Sequence, residues 1–221
     1  MKKLFMLVLL ASLSSSALAF KMPSAPGGDS DAKEESNSGM SAADAQEAIV
    51  VDFKAALTHI DTAQSHVMDA LGFKDDAAES LARAERLNGD DCKASCIEAS
   101  AEASAAAQQK IEEEMAKGSE LDAKGKKELA KAYIPLGKGT MRMAKLAPKA
   151  KDWAKGAMDE IKGAGVMGAG KMKKKLATGL YIAKTTPTLI GNWSKTTSDL
   201  ISFGKKAGVS TKGASGDEMA G

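Results

Sequence analysis

Residues 41–71, SAADAQEAIVVDFKAALTHIDTAQSHVMDAL, decide the fold. Ile49, Phe53, Ala56, Ile60, Ala63 and Val67 recur at spacings of three and four, which lines one side of an α-helix. Ser41 suits an N-cap and Gly72 a stop, so a helix from Ser41 to about Leu71 is expected. Downstream, Asp76 to Leu87 is a second helical segment, closed by the turn pair Asn88-Gly89. A third, capped by Asp90 or Asp91, should run to about Lys117. Its face is mostly alanine, with Ile97, Ile111 and Met115 as the large apolar residues, so it suits close helix approach better than a thick core.

After Gly118 the texture changes. Glycine supplies 15 of the 99 residues from 123 to 221, and lysine replaces glutamate as the main charge. Short helices are expected near Ser119–Ile134, Pro148–Lys162, Lys171–Lys184 and Pro187–Phe203, the last opened by a proline at its first position. Each interior glycine costs about 1 kcal/mol relative to alanine, so this half is expected to be the less stable one. No segment alternates at period two. The fold class is therefore all-α: an acidic helical hairpin or small bundle over 41–117, then a basic, Gly-rich region of short amphipathic helices over 118–207.

The ends read differently. Lys2 and Lys3, the apolar run Leu4–Leu13 and the small-x-small triplet Ala17-Leu18-Ala19 form an export signal over 1–19. Residues 20–40 and 208–221, rich in Gly, Ser and charge, read as a disordered leader and tail. The apolar run is shorter than the ~20 residues a membrane span needs, and no later stretch is long enough. An exported protein, periplasmic or secreted, is expected.

Composition narrows the function. Aromatic residues are 4% and charged residues 27% of the chain. With 40 alanines, it suits thin helical layers rather than a compact enzyme. Residues 20–122 carry 22 acidic and 9 basic side chains, net −13, whereas residues 123–221 carry 20 basic and 7 acidic, net +13. Charges in physiological salt act over only about 8 Å, so cancellation requires the halves to be adjacent. The split thus points to one half folding against the other, to self-association, or to an anionic partner.

Few residues invite chemistry. Cys92 and Cys96 lie four apart, just inside the expected third helix, and an even cysteine count in an exported chain points to a disulfide. A strained bridge near a helix N-terminus would suit a thiol-redox module, although the C-x-x-C spacing of thiol oxidoreductases is absent. His59 and His66, two turns apart beside the first stripe, are about 10.5 Å apart along the axis, too far for one metal ion, so no metal site is expected. Gly163–Gly168 matches G-x-G-x-x-G, but no strand precedes it, and Met172 follows Lys171 where a P-loop needs Ser or Thr. A hinge or a close helix crossing is expected there, with no nucleotide and no other cofactor. No G-x-S-x-G is present and nothing singles out a carboxylate pair, so an enzyme is not expected.

The basic helices are the functional candidates. Leu146, Ala150, Trp153, Ala157 and Ile161 form one stripe, with Lys149 and Lys155 around it. Lys173, Lys174 and Lys175 precede Leu176, Leu180 and Tyr181, and Trp193 sits in a stripe with Leu189 and Leu200 beside Lys195. A tryptophan on a lysine-flanked apolar face suits an interfacial helix on anionic lipid, and it equally suits packing against the rest of the protein. Nucleic acid is not expected, since Arg142 is the lone arginine of this half. The leading expectation is a non-catalytic exported protein that associates with itself, an envelope protein or an anionic surface. Peripheral membrane binding by the basic helices is the alternative, and the redox module is third.

Overall fold

The computed structural model describes residues 41–212 and residue 214. The export signal at 1–19, the leader at 20–40 and most of the tail lie outside the described residues. Those described form helices and turns: α1 (Ala42–Ala70), α2 (Lys74–Asn88), α3 (Ala94–Ala116), α4 (Ala123–Gly163), α5 (Gly165–Lys175) and α6 (Ala177–Lys206).

α1 follows the sequence closely. The Ser41 hydroxyl accepts from the Asp44 amide at 3.3 Å, and Gly72 leaves the helix with φ +88°, a conformation that L side chains rarely adopt. Its stripe is the centre of the core, with Phe53, Ala56, Leu57, Ile60 and Met68 wholly buried. α4 lies along α1, α2 flanks it, and α6 covers α4 and α3. Leu129, Tyr133, Leu136 and Met143 of α4 and Trp193 of α6 complete the interior, where the Tyr133 hydroxyl donates to the Leu200 carbonyl at 2.9 Å.

The C-terminal half differs from expectation. α4 runs unbroken through Pro135 and Pro148, and α6 through Pro187, where separate short helices were expected. An interior proline removes a backbone hydrogen bond at a cost of about 3 kcal/mol. Burial of Leu129, Leu136, Met143, Leu146 and Ala150 along one side of α4 offsets it, since each large apolar side chain is worth roughly 1.5–3 kcal/mol. The glycines of these two helices are not simply weak points either. A Cβ on Gly139 would lie 2.7 Å from Ile60 Cγ1 and 3.1 Å from the Ala56 carbonyl, so glycine is what lets α4 approach α1. Gly179 gives the Trp153 ring its seat, since a Cβ there would fall 2.7 Å from Cζ3.

Within the segment read as tail, Val209 and Ala214 are buried against the core, and the Val209 amide donates to the Gly204 carbonyl at 2.8 Å.

Candidate functional site

Cys92 and Cys96 are joined in a disulfide with their Cα atoms 5.2 Å apart. α3 begins at Ala94 rather than at the aspartates, so Cys92 precedes the helix and only Cys96 lies within it. This shortens the separation from the ~6 Å of two helical positions four apart. Cys92 is 5% exposed and part of the core.

The two tryptophans face inward. Trp193 is 1% exposed, at the heart of the core. Trp153 is half-buried, and its indole Nε1 donates to the Ala42 carbonyl at 2.8 Å. It belongs to a network that seats the start of α1. The Ala42 amide donates to Glu160 Oε1 at 2.7 Å, and Gln46 bridges α5 and α6, donating to the Lys175 carbonyl at 3.2 Å and accepting from the Gly179 amide at 2.9 Å. Below it, Ala157, Ile161 and Leu176 form a second, small apolar cluster. In this fold Trp193 is enclosed in the core and the Trp153 indole N–H is engaged by α1, the packing arrangement that a tryptophan on a lysine-flanked face also suits. The same stripe-plus-lysine pattern serves a buried helix whose lysines reach out along its edges.

The candidate lysines divide. Lys149 pairs with Asp52 at 3.2 Å, Lys155 with Asp152 at 3.2 Å, and Lys195 with Asp199 at 2.8 Å and Glu112 at 3.5 Å. Lys173, Lys174 and Lys175 fill the last turn of α5, exposed and without an ion pair among the described residues. α5 is unlike every other helix in burying none of its residues. Ala169 and Met172 touch the small cluster, and Leu176, just beyond the end, is wholly buried. At the opposite pole of the helix, Val166 and Met167 are 99% and 94% exposed.

The Gly-rich stretch makes the corner that presents them. α4 ends at Gly163, and Gly165 turns the chain with φ +66°. Helical spacing puts Lys171 and Lys174 on the side of Met167, with Val166 and Lys173 flanking it. Sequence reasoning spent this stretch on a nucleotide motif and missed the pair. The signal was present. Val166 has Lys162, Gly163, Ala169 and Gly170 at three and four positions, and Met167 has Gly163, Ala164, Gly170 and Lys171, so neither has a large apolar neighbour on its face.

The histidines lie beside the stripe, half-buried, and point to different places. His66 Nδ1 is 3.2 Å from Glu128 Oε2. His59 shares a groove between α1 and α4 with Lys138 and Arg142. Burial first, and then those two cations, hold the imidazole below its ordinary pKa.

A polar core joins α1, α2 and α3. The Arg83 guanidinium lies 3.0 Å from Ser80 Oγ, 3.3 Å from Gln64 Oε1 and 3.5 Å from Asp61 Oδ1. Asp61 is wholly buried, which pushes its carboxyl up to about 6 against the pull of Arg83. Ser80 and Arg83 line a small pocket of about 230 Å³ between α2 and α3, while Asp61 and Gln64 are buried behind it, so the group reads as part of the packing. Among the described residues no helix is long and apolar enough to cross a membrane. No family model, curated protein or solved structure matches this chain.

Proposed function

We propose that this chain is an exported, non-catalytic helical protein that associates with anionic lipid surfaces through the corner between α4 and α5. The carrying observation is the exposure of Val166 and Met167 on a helix that buries nothing, with Lys171, Lys173 and Lys174 on the same outward half. Removing a large apolar side chain from water is worth roughly 1.5–3 kcal/mol, and each lysine beside an anionic bilayer adds about 1 kcal/mol. A bilayer interface offers both at once. The disulfide supports export, since such bonds persist in oxidising compartments.

In this reading the opposite charges of the two halves meet within the fold at three ion pairs. Lys149 meets Asp52, Lys124 meets Asp69 at 3.4 Å, and Lys195 meets Glu112, each a basic residue of α4 or α6 against a carboxylate of α1 or α3. What remains for a partner is the set of cations these contacts leave over, and α5 holds four of them.

Co-sedimentation of the mature chain with phosphatidylcholine vesicles, with and without phosphatidylglycerol, tests the proposal. Binding is expected only with the anionic lipid and should fade at high salt. Val166→Ser combined with Met167→Ser should weaken it at least about tenfold, equivalent to ~1.4 kcal/mol. A tryptophan placed at 167 should shift blue on binding, while Trp153 and Trp193 should not. Wild-type chain left in the supernatant at low salt would remove the lipid reading. A dimer by sedimentation under those conditions would instead favour self-association through the same face.

A further inference from the structure

We infer that the groove between α1 and α4 is a binding site for a soluble compound carrying two or more phosphate groups, gripped by Lys138, Arg142 and Lys145 and contacted by His59. The groove encloses about 430 Å³. Its charged and titratable lining is Asp52 and His59 from α1 and Lys138, Arg142, Lys145 and Lys149 from α4. Spacings of four, three and four put the α4 cations on one helical face, over about 16 Å of axis at 1.5 Å per residue.

The arrangement is costly without an external anion. Like charges four apart destabilise a helix, and 138/142 and 145/149 are both such pairs. Elsewhere three of the α4 lysines follow a carboxylate by three residues and pair with it, as Glu128–Lys131, Asp152–Lys155 and Asp159–Lys162. Between residues 129 and 151 it has no carboxylate at all. Asp52 of α1 reaches Lys149, and Lys138, Arg142 and Lys145 have no ion pair among the described residues. Arg142 is also the one arginine in a half otherwise supplied with lysine, and a guanidinium fork matches phosphate oxygens where an ammonium acts as a point charge.

His59 adds a proton-linked contact. Burial, Arg142 and Lys138 disfavour its charged form in the free protein. A phosphate placed among these cations supplies the missing negative charge, so binding takes up a proton at His59 and tightens as the pH falls through the imidazole range. Asp52, already ionic with Lys149, is the one group in the groove that opposes the ligand.

The two histidines make the test direct, because His66 sits against Glu128 and serves as an internal reference. Proton NMR of the full mature chain, titrated with inorganic tripolyphosphate, should move the His59 ring resonances saturably and leave those of His66 still. Affinity should rise at least about fivefold from pH about 7.5 to about 5.5. Arg142→Gln and Lys138→Gln should each weaken binding about tenfold or more without lowering the melting temperature, since both side chains are exposed and each change relieves a like-charge pair. Asp52→Asn should tighten it. The Val166→Ser, Met167→Ser double variant should bind tripolyphosphate as the wild type does, which keeps this site separate from the lipid-binding proposal. A shift reproduced by sodium chloride at equal ionic strength overturns the inference. So does an unaltered affinity in Arg142→Gln, or a His59 response to phosphatidylglycerol vesicles alone.

Discussion

α1 and α5 are both helices beside a left-handed glycine, yet α1 buries twelve of its 29 residues and α5 none of its 11. The interior accounts for α1: remove the core and its stripe has no reason to line up. It does not account for α5. A helix of that length is marginal in water on its own, and α5 has four lysines and three glycines within it. It is held in place by its ends, through the α4 corner and buried Leu176, and by the light contacts of Ala169 and Met172. The lesson is that the two helices answer to different solvents. Substitutions in α1 and its partners should be read in stability, and substitutions in α5 in binding.

The sharpest way to break this contrast is to truncate one large residue of each kind. Trp193→Ala should destabilise the chain by about 3–5 kcal/mol, the usual range for emptying a buried aromatic site. Val166→Ser and Met167→Ser should each change stability by no more than about 0.5 kcal/mol. Urea denaturation followed by circular dichroism measures both. A large loss in the α5 variants would mean that the corner packs against something other than solvent.

The glycines provide a second, smaller contrast. At Gly139 an added methyl group meets Ile60 and the α1 backbone, so Gly139→Ala should destabilise by about 1–3 kcal/mol through overpacking. At Gly170 nothing lies within 4 Å, so Gly170→Ala should instead stabilise, by at most about 1 kcal/mol, through helix propensity alone. Paired thermal melts would show opposite signs. Two losses would indicate that α5 needs its glycines for close contact as α4 does.

These pairs also mark what could be read from the sequence. The α1 stripe was legible because Ile49, Phe53, Ile60 and Val67 are large and evenly spaced, and because Ser41 and Gly72 bound them with caps of known chemistry. α4 was not legible as one helix. Pro135 and Pro148 are local breakers, and the burial that overrides them depends on α1, some eighty residues earlier in the chain. Gly139 and Gly170 look alike in the sequence, and only the neighbouring helix separates a contact from a gap. Trp153 and Trp193 could be read as either surface or core residues, because an interfacial face and a core face share one periodicity. The Cys92–Cys96 disulfide was readable from spacing and number, whereas its position across the start of α3 was not. Asp61, Gln64 and Arg83 gave no signal, because polar residues on an apolar face announce a buried network only when the partner helices are known.

The last effect expected is a change of slope with pH, and it separates interior charge from surface charge. In the folded chain burial raises the Asp61 carboxyl to about 6, from 3.8 when unfolded, with Arg83 pulling the other way. Between those values the folded state holds a proton that the unfolded state releases. The stability it contributes is therefore complete below pH 3.8 and is lost as the pH rises through about 6. Asp61→Asn cannot titrate, so its stability should fall less steeply across that window than the wild type's. Arg83→Met removes the strongest downward pull on the carboxyl and should move the wild-type loss to higher pH. Urea midpoints at intervals from about pH 4 to pH 8 measure both shifts. Parallel curves for wild type and Asp61→Asn would mean that the carboxyl is ionised throughout. Arg83 would then neutralise it more fully than a closest approach of 3.5 Å suggests, and the polar core would be an ion pair rather than a proton store.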